Sequence, residues 1–254
     1  MLREPPMIEY RRVYSWWHFW CVLTAMALVL VVLRQYSQVE RDLALYFSDV
    51  TECYLSQVGQ PDAQMCIYYP AEENALPRVA HRIATLVPIL LLIFCFGWLI
   101  RLLLRKAKSA HLLLPLSGIV TFGAGTGIIV NLILKNNWGR PRPYQTSDAG
   151  GPFSFVPAGT ISDQCSHNCS FVSGDVAAAA WMFFIVPFLP IRYRNPGYAF
   201  VGLFTVGMAF ARIAMGRHYL SDVILGALIS VAVIMLFNLL FGARDPIEVG
   251  NQHA

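Results

Sequence analysis

The sequence predicts an all-α fold, a bundle of six transmembrane helices with both termini cytoplasmic. Three observations predict it. Of 254 residues, 56% are hydrophobic and only 13% are charged, whereas an ordinary soluble domain is about a quarter charged. Six apolar runs approach the roughly 20 residues that cross ~30 Å of hydrocarbon. Basic residues recur in alternate connections, which sets the orientation.

The first run, Trp16 to Leu33, follows Arg11-Arg12 like a secretory signal. Val32-Leu33-Arg34-Gln35 offers no small-x-small cleavage site, so the run reads as an uncleaved signal anchor. A polar outer connection, 34–82, comes next and is the one segment long enough to fold separately. The second run is Ile83 to Leu103 and the third Leu112 to Leu134, where Gly123 and Gly127 make a small-xxx-small packing face. A second outer connection, 135–170, leads to the fourth run, Phe171 to Leu189; the fifth is Tyr198 to Met215 and the sixth Tyr219 to Phe241. The whole chain, 1–254, therefore reads as a single polytopic domain.

Arg3, Arg11 and Arg12, then Arg101, Arg105, Lys106 and Lys108, then Arg192 and Arg194, and finally Arg244 all fall on one side of this topology. The opposite side carries Glu40, Asp42, Asp49, Glu52, Asp62, Glu72 and Glu73. Four cations, Lys135, Arg140, Arg142 and Arg217, sit on that acidic side against the rule, and binding an anion would explain them. The net charge of +4 is too small to imply nucleic acid, and the apolar composition makes membrane lipids the expected surroundings. Cys53, Cys66, Cys165 and Cys169 lie in the outer connections, while Cys21 and Cys95 lie within helices. Local pairing, Cys53 with Cys66 and Cys165 with Cys169, is expected in an oxidising compartment, although four cysteines permit three pairings. Tyr46, Phe47, Tyr54, Tyr68 and Tyr69 suit an interfacial aromatic belt.

Ionisable groups at the ends of apolar helices mark a site by default, and three segments carry them. Lys135 and Arg142-Pro143 bracket a turn made by Gly139, Pro141 and Pro143, which can bring a point charge and a planar fork onto one anion. Ser173-Gly174-Asp175 precede Val176 and four alanines, so Ser173 and Gly174 stand at a helix N-terminus, where free N–H groups bind anions. The third segment runs from Arg212 to His218 and Asp222. Positions 218 and 222 share a helix face, so Asp222 is expected to accept a hydrogen bond from the far ring nitrogen of His218 and leave the other free as a nucleophile.

Lys135 with Arg142-Pro143, Ser173-Gly174, and Arg212 with His218 and Asp222 resemble the three signature motifs of the type 2 phosphatidic acid phosphatase superfamily, in order and each at a helix end. The resemblance implies metal-independent hydrolysis of a lipid phosphate through a phosphohistidine at the outer face, with no cofactor. It assigns His218 as nucleophile, Asp222 as its orienting base, and Lys135, Arg142, Arg212, Ser173 and the Gly174 amide as phosphate ligands. The family's second motif reads Pro-Ser-Gly-His, and its histidine protonates the leaving oxygen; this chain has Val172-Ser173-Gly174-Asp175. Asp175 is the first substitute for that proton donor and His167 the second, unless a diphosphate leaving group needs little protonation. The stretch Cys169 to Asp175 is similar to a variant among bacterial lipid A phosphatases, so lipid A is the first substrate expected, ahead of phosphatidylglycerol phosphate and undecaprenyl diphosphate. A catalytically silent lipid-phosphate binder and a transporter are the readings from other classes.

Overall fold

The computed structural model describes residues 10–53 and 64–243. Arg3, Tyr54, Asp62 and Arg244 lie outside the described residues, as do the side chains of the expected Cys53–Cys66 pair. Five helices are long and apolar enough to cross a membrane: Trp16–Gln35, Ala75–Leu104, His111–Asn137, Ile191–Ala214 and Leu220–Phe241. The expected fourth, Phe171 to Leu189, is shorter, Gly174–Phe188. Its α-helical part ends at Trp181, and two tight 3-10 turns follow, Met182–Phe184 and Val186–Phe188. Pro187, which cannot donate to a continuing α-helix, lies in the second of them.

In chain order the helices are α1 (Trp16–Gln35), α2 (Ser37–Tyr46), α3 (Pro70–Glu73), α4 (Ala75–Leu104), α5 (Ser109–Thr121), α6 (Lys135–Asn137), α7 (Gly174–Trp181), α8 (Ile191–Ala214) and α9 (Leu220–Phe241). A 13-residue π-helix, Phe122–Leu134, joins α5 to α6 without a break; i→i+5 winding of this length is rare. The first outer connection departs from an all-α reading. Beyond α2 it forms an antiparallel hairpin, β1 (Asp49–Cys53) with β2 (Gln64–Tyr68), in which Thr51 faces Cys66.

Two helices start earlier than hydropathy suggested. The second span begins at Ala75 rather than Ile83, because Arg78, His81 and Arg82 occupy its first turns and mask the helix. Pro77 stands in the first turn, where a missing N–H costs nothing. The fifth span begins at Ile191 rather than Tyr198, with Arg192 and Arg194 in its first turn.

The centre of the bundle is α7. Val176, Ala177, Ala179, Ala180 and Trp181 are all buried, and small side chains let neighbouring helices approach closely. The π-helix, α8 and α9 pack around it, with Val176 and Ala179 meeting Met208, Ile213 and Val223 in one cluster. Trp181 donates its Nε1–H to the Gly118 carbonyl (2.9 Å) and so ties α7 to α5. α1 runs along α9. Asn238 of α9 accepts the Val13 N–H and donates to the Arg11 carbonyl, each at 2.8 Å.

Candidate active site

The segment from Cys169 to Ser173 is stitched between two others by its backbone. The Cys169 and Ser170 N–H groups donate to the carbonyls of Lys135 (3.1 Å) and Arg140 (2.8 Å), and the Ser173 N–H donates to the carbonyl of Asp222 (2.9 Å). Gly226, one turn into α9, permits this approach, since a Cβ there would fall 2.5 Å from the Ser173 oxygen. The three motif segments therefore converge, and they do so at the N-terminal ends of α7 and α9.

The floor of the site is built on Arg140, which is fully buried. Its guanidinium donates to Asp222 Oδ1 (2.8 Å), Ser221 Oγ (2.7 Å), Glu40 Oε2 (3.1 Å) and the Val156 carbonyl (2.9 Å), and it lies over the Tyr219 ring. Burial disfavours its charge, but Asp222 and Glu40 more than offset that and hold its pKa above the ordinary value. Glu40 comes from α2, and its other oxygen accepts the Ser221 N–H (2.6 Å), a favoured place for a carboxylate at the positive end of α9. Arg140 was expected to bind an external anion; two carboxylates of the protein hold it instead.

His218 is buried beside this floor, 1% exposed. Its Nδ1 lies 2.7 Å from the Ser170 carbonyl. A carbonyl can only accept, so Nδ1 carries the proton and Nε2 keeps its lone pair. The expected hydrogen bond from His218 to Asp222 is not formed, because Nδ1 stands 3.9 Å from Oδ2. That oxygen is already occupied by the Ser170 hydroxyl (2.5 Å) and the Tyr219 N–H (3.0 Å). Ser170 thus bridges the two, its side chain on Asp222 and its carbonyl on the imidazole. Burial lowers the His218 pKa to about 4, with Arg212 and Arg142 adding to the effect and Asp222 opposing it.

Above the floor the cations gather. Arg142, Arg212, Asp175 and Asp222 all act electrostatically on Lys135, whose Nζ has no hydrogen-bond partner among the described residues. It lies close to Gly174, where a Cβ would come within 3.0 Å of Nζ and 2.6 Å of Asn131 Oδ1. Arg142 donates to the carbonyl (2.9 Å) and side-chain oxygen (2.9 Å) of Asn168, and burial, then Arg212, lowers its pKa. Asn168 belongs to the short loop closed by the Cys165–Cys169 disulfide, which braces the guanidinium. The Ser173 side chain does not cap its own helix, and its buried hydroxyl has no partner among the described residues, which leaves it free for a ligand. Arg217, the fourth cation on the acidic side, pairs with Glu72 and lies over Tyr144.

Asp175 differs from Asp222 in being open, its side chain 34% exposed. Its Oδ2 faces two nitrogens, Arg212 Nε at 3.1 Å and His81 Nε2 at 3.5 Å. Both distances are within ion-pair reach, and neither nitrogen is angled to make a hydrogen bond. His167 is exposed in its loop.

Glu40, Ser170, Ser221 and His81 were not foreseen as parts of the site. Two of them carried a signal. Glu40 and Ala44 are the buried pair of α2 at helical spacing. His81 lies one heptad before Pro88 and two before Cys95, the buried positions of α4, so it continues the inward face of that helix.

A model of the PAP2 superfamily matches residues 112–246. The lipid A 4'-phosphatase of Rhizobium etli is 47% identical over 112 residues, which cover 43% of this chain and 42% of that protein. That of Rhizobium leguminosarum is 43% identical over 109 residues, 43% of this chain and 47% of its own. That of Francisella tularensis subsp. novicida is 33% identical over 124 residues, 48% and 55%. The chain thus spans about half the length of the curated relatives it matches. The crystal structure of a transmembrane PAP2 type phosphatidylglycerolphosphate phosphatase from Bacillus subtilis superposes with a TM-score of 0.51 at 15% identity, covering 87% of this chain and 94% of that one. This likeness concerns the fold, and with the apolar helices it supports an integral membrane protein.

Proposed function

The chain belongs to the PAP2 superfamily, and on that premise we propose that it is a phosphoric ester hydrolase that removes phosphate from an envelope lipid. Lipid A is the first substrate, as the names of three relatives suggest; phosphatidylglycerol phosphate and undecaprenyl diphosphate come next. The observation that carries the reading is the His218 tautomer. Its Nε2 lone pair is available as a nucleophile because Nδ1–H is committed to the Ser170 carbonyl, and the low pKa keeps the ring neutral at neutral pH.

In this mechanism Lys135, Arg142 and Arg212, with the Ser173 hydroxyl and the Gly174 amide, hold the equatorial phosphate oxygens. His218 Nε2 attacks phosphorus in line with the departing lipid oxygen, and water then hydrolyses the phosphohistidine. Phosphoryl transfer depends mostly on positioning and preorganised positive charge, and the cluster of cations fits that demand. The phosphate reaches His218 past Asp175, the open carboxylate of the site. On this reading the site faces the periplasm from the cytoplasmic membrane. The disulfide beside Arg142 supports that side, because such bonds persist in oxidising compartments.

Mass analysis of envelope lipids from cells making the active protein or His218→Ala tests the substrate. Lipid A is expected to lose one phosphate only with the active protein. Unchanged lipid A together with depleted phosphatidylglycerol phosphate would replace the substrate and keep the reaction. Full turnover by His218→Ala would end the phosphohistidine reading.

A further inference from the structure

We propose that His81 is the proton donor to the departing lipid oxygen, with Asp175 as the carboxylate that positions it. This rests on the phosphohistidine reading of His218. Asp175 stands where the resembling family carries its proton-donating histidine, but its Oδ2 is the shared charge partner of Arg212 and His81. The missing imidazole is supplied from another helix, to the same place.

Three features of His81 fit the task. Its side chain is only 10% exposed and lies 3.5 Å from Asp175 Oδ2, yet Nε2 has no well-angled hydrogen-bond partner among the described residues, so its N–H can turn from the carboxylate to a ligand. It comes from a different helix than the nucleophile. α4, which carries His81, and α9, which His218 precedes, each pack on both α7 and α8, so each histidine reaches the α7 N-terminus from its own helix. In-line displacement puts the acid across the phosphorus from the nucleophile. Lastly, α4 borders the lipid. Leu76, Val79, Ile83 and Leu86 around His81 are exposed, and the leaving oxygen, being attached to the lipid, departs towards that side.

The steps balance as follows. The bond from His218 Nε2 to phosphorus forms as the bond from phosphorus to the lipid oxygen breaks. The electron pair goes to that oxygen, which takes the proton from His81 Nε2. Water then gives its proton back to His81 as its oxygen bonds to phosphorus and the phosphorus–nitrogen bond breaks, returning the pair to His218. The sum is lipid phosphate plus water to lipid alcohol plus inorganic phosphate.

The test compares leaving groups on purified full-length protein in detergent. A long-chain alkyl phosphate needs a proton to leave; p-nitrophenyl phosphate does not. His81→Ala is expected to lose about 10²–10⁴-fold on the alkyl phosphate, while the initial burst of p-nitrophenol stays within about threefold, the usual signature of a missing general acid. The retained burst also shows that the variant is folded. Equal losses on both substrates, or none on either, would overturn the proposal. Asp175→Asn, as a positioning change, is expected to lose selectively on the alkyl phosphate and to add nothing to His81→Ala; additive losses would remove that role. His218→Ala is expected to abolish both reactions, and its retention of either overturns the underlying reading instead.

Discussion

Two carboxylates stand at helix N-termini in this site, and they are handled in opposite ways. Asp222 is sealed, 0% exposed, with both oxygens taken by Arg140, the Ser170 hydroxyl and the Tyr219 N–H. Asp175 is a third exposed and faces Arg212 and His81 without a well-angled hydrogen bond to either. A sealed carboxylate with both oxygens engaged fixes geometry, because any movement leaves a buried charge unmet. An open one with loosely held partners can release them to a ligand. The floor is therefore built for position and the mouth for exchange.

The comparison breaks most visibly at Arg140. Arg140→Ala leaves Asp222 and Glu40 buried without their cation and is expected to cost about 3–5 kcal/mol, read as a lowered unfolding midpoint in detergent; a stable variant would show that the floor is not sealed. At the mouth, Gly174→Ala should spare stability and damage function. The new Cβ displaces Lys135 and Asn131, and a misplacement approaching 1 Å costs about 10²-fold in kcat/KM. Ser170→Ala separates the two duties of that residue. Losing its hydroxyl bond to Asp222 should cost about 1.5 kcal/mol, but the carbonyl that holds His218 is retained, so turnover per folded molecule should stay near that of the parent; a large fall in turnover would mean the hydroxyl itself steers the imidazole.

The smallest effect is a charge that does not change. An ordinary histidine gains its proton near pH 6.5, whereas burial brings His218 down to about 4. The neutral form therefore prevails above about pH 4 and is lost only as pH falls through that value. Nitrogen NMR of histidine-labelled protein, with His218→Ala to assign the signal, should place the midpoint there. A midpoint near 6.5 would show that water reaches the floor.

Much of the mouth was legible in the sequence, because its residues lie at fixed spacings on helix ends: Lys135, Arg142, Ser173, Gly174, Asp175, Arg212 and His218 lie together at the ends of α7 and α9. The floor was less so. The atom that holds His218 is a backbone carbonyl, which every residue possesses, so Ser170 carried no signal for that role. Glu40 sits on an amphipathic helix within a polar connection and reads as one more solvated acid until its spacing with Ala44 is noticed. Arg140 was visible only as a cation on the wrong side, and the sequence could not say that its anion lies within the protein. His81 was hidden because Arg78 and Arg82 beside it lower the local hydropathy and made the second span seem to start at Ile83.

The ion pair between Arg140 and Glu40 joins two parts of the chain that are made far apart in time. The segment from residue 112 onward, which the family model matches, holds every motif residue, yet Glu40 enters the ribosome's exit tunnel a hundred residues before Arg140. Maturation of the site therefore waits on a meeting between an early-translocated helix and a late one. A fragment synthesised from the third span alone would keep His218 and the cations but hold an arginine one carboxylate short, and would lack the imidazole on α4 altogether.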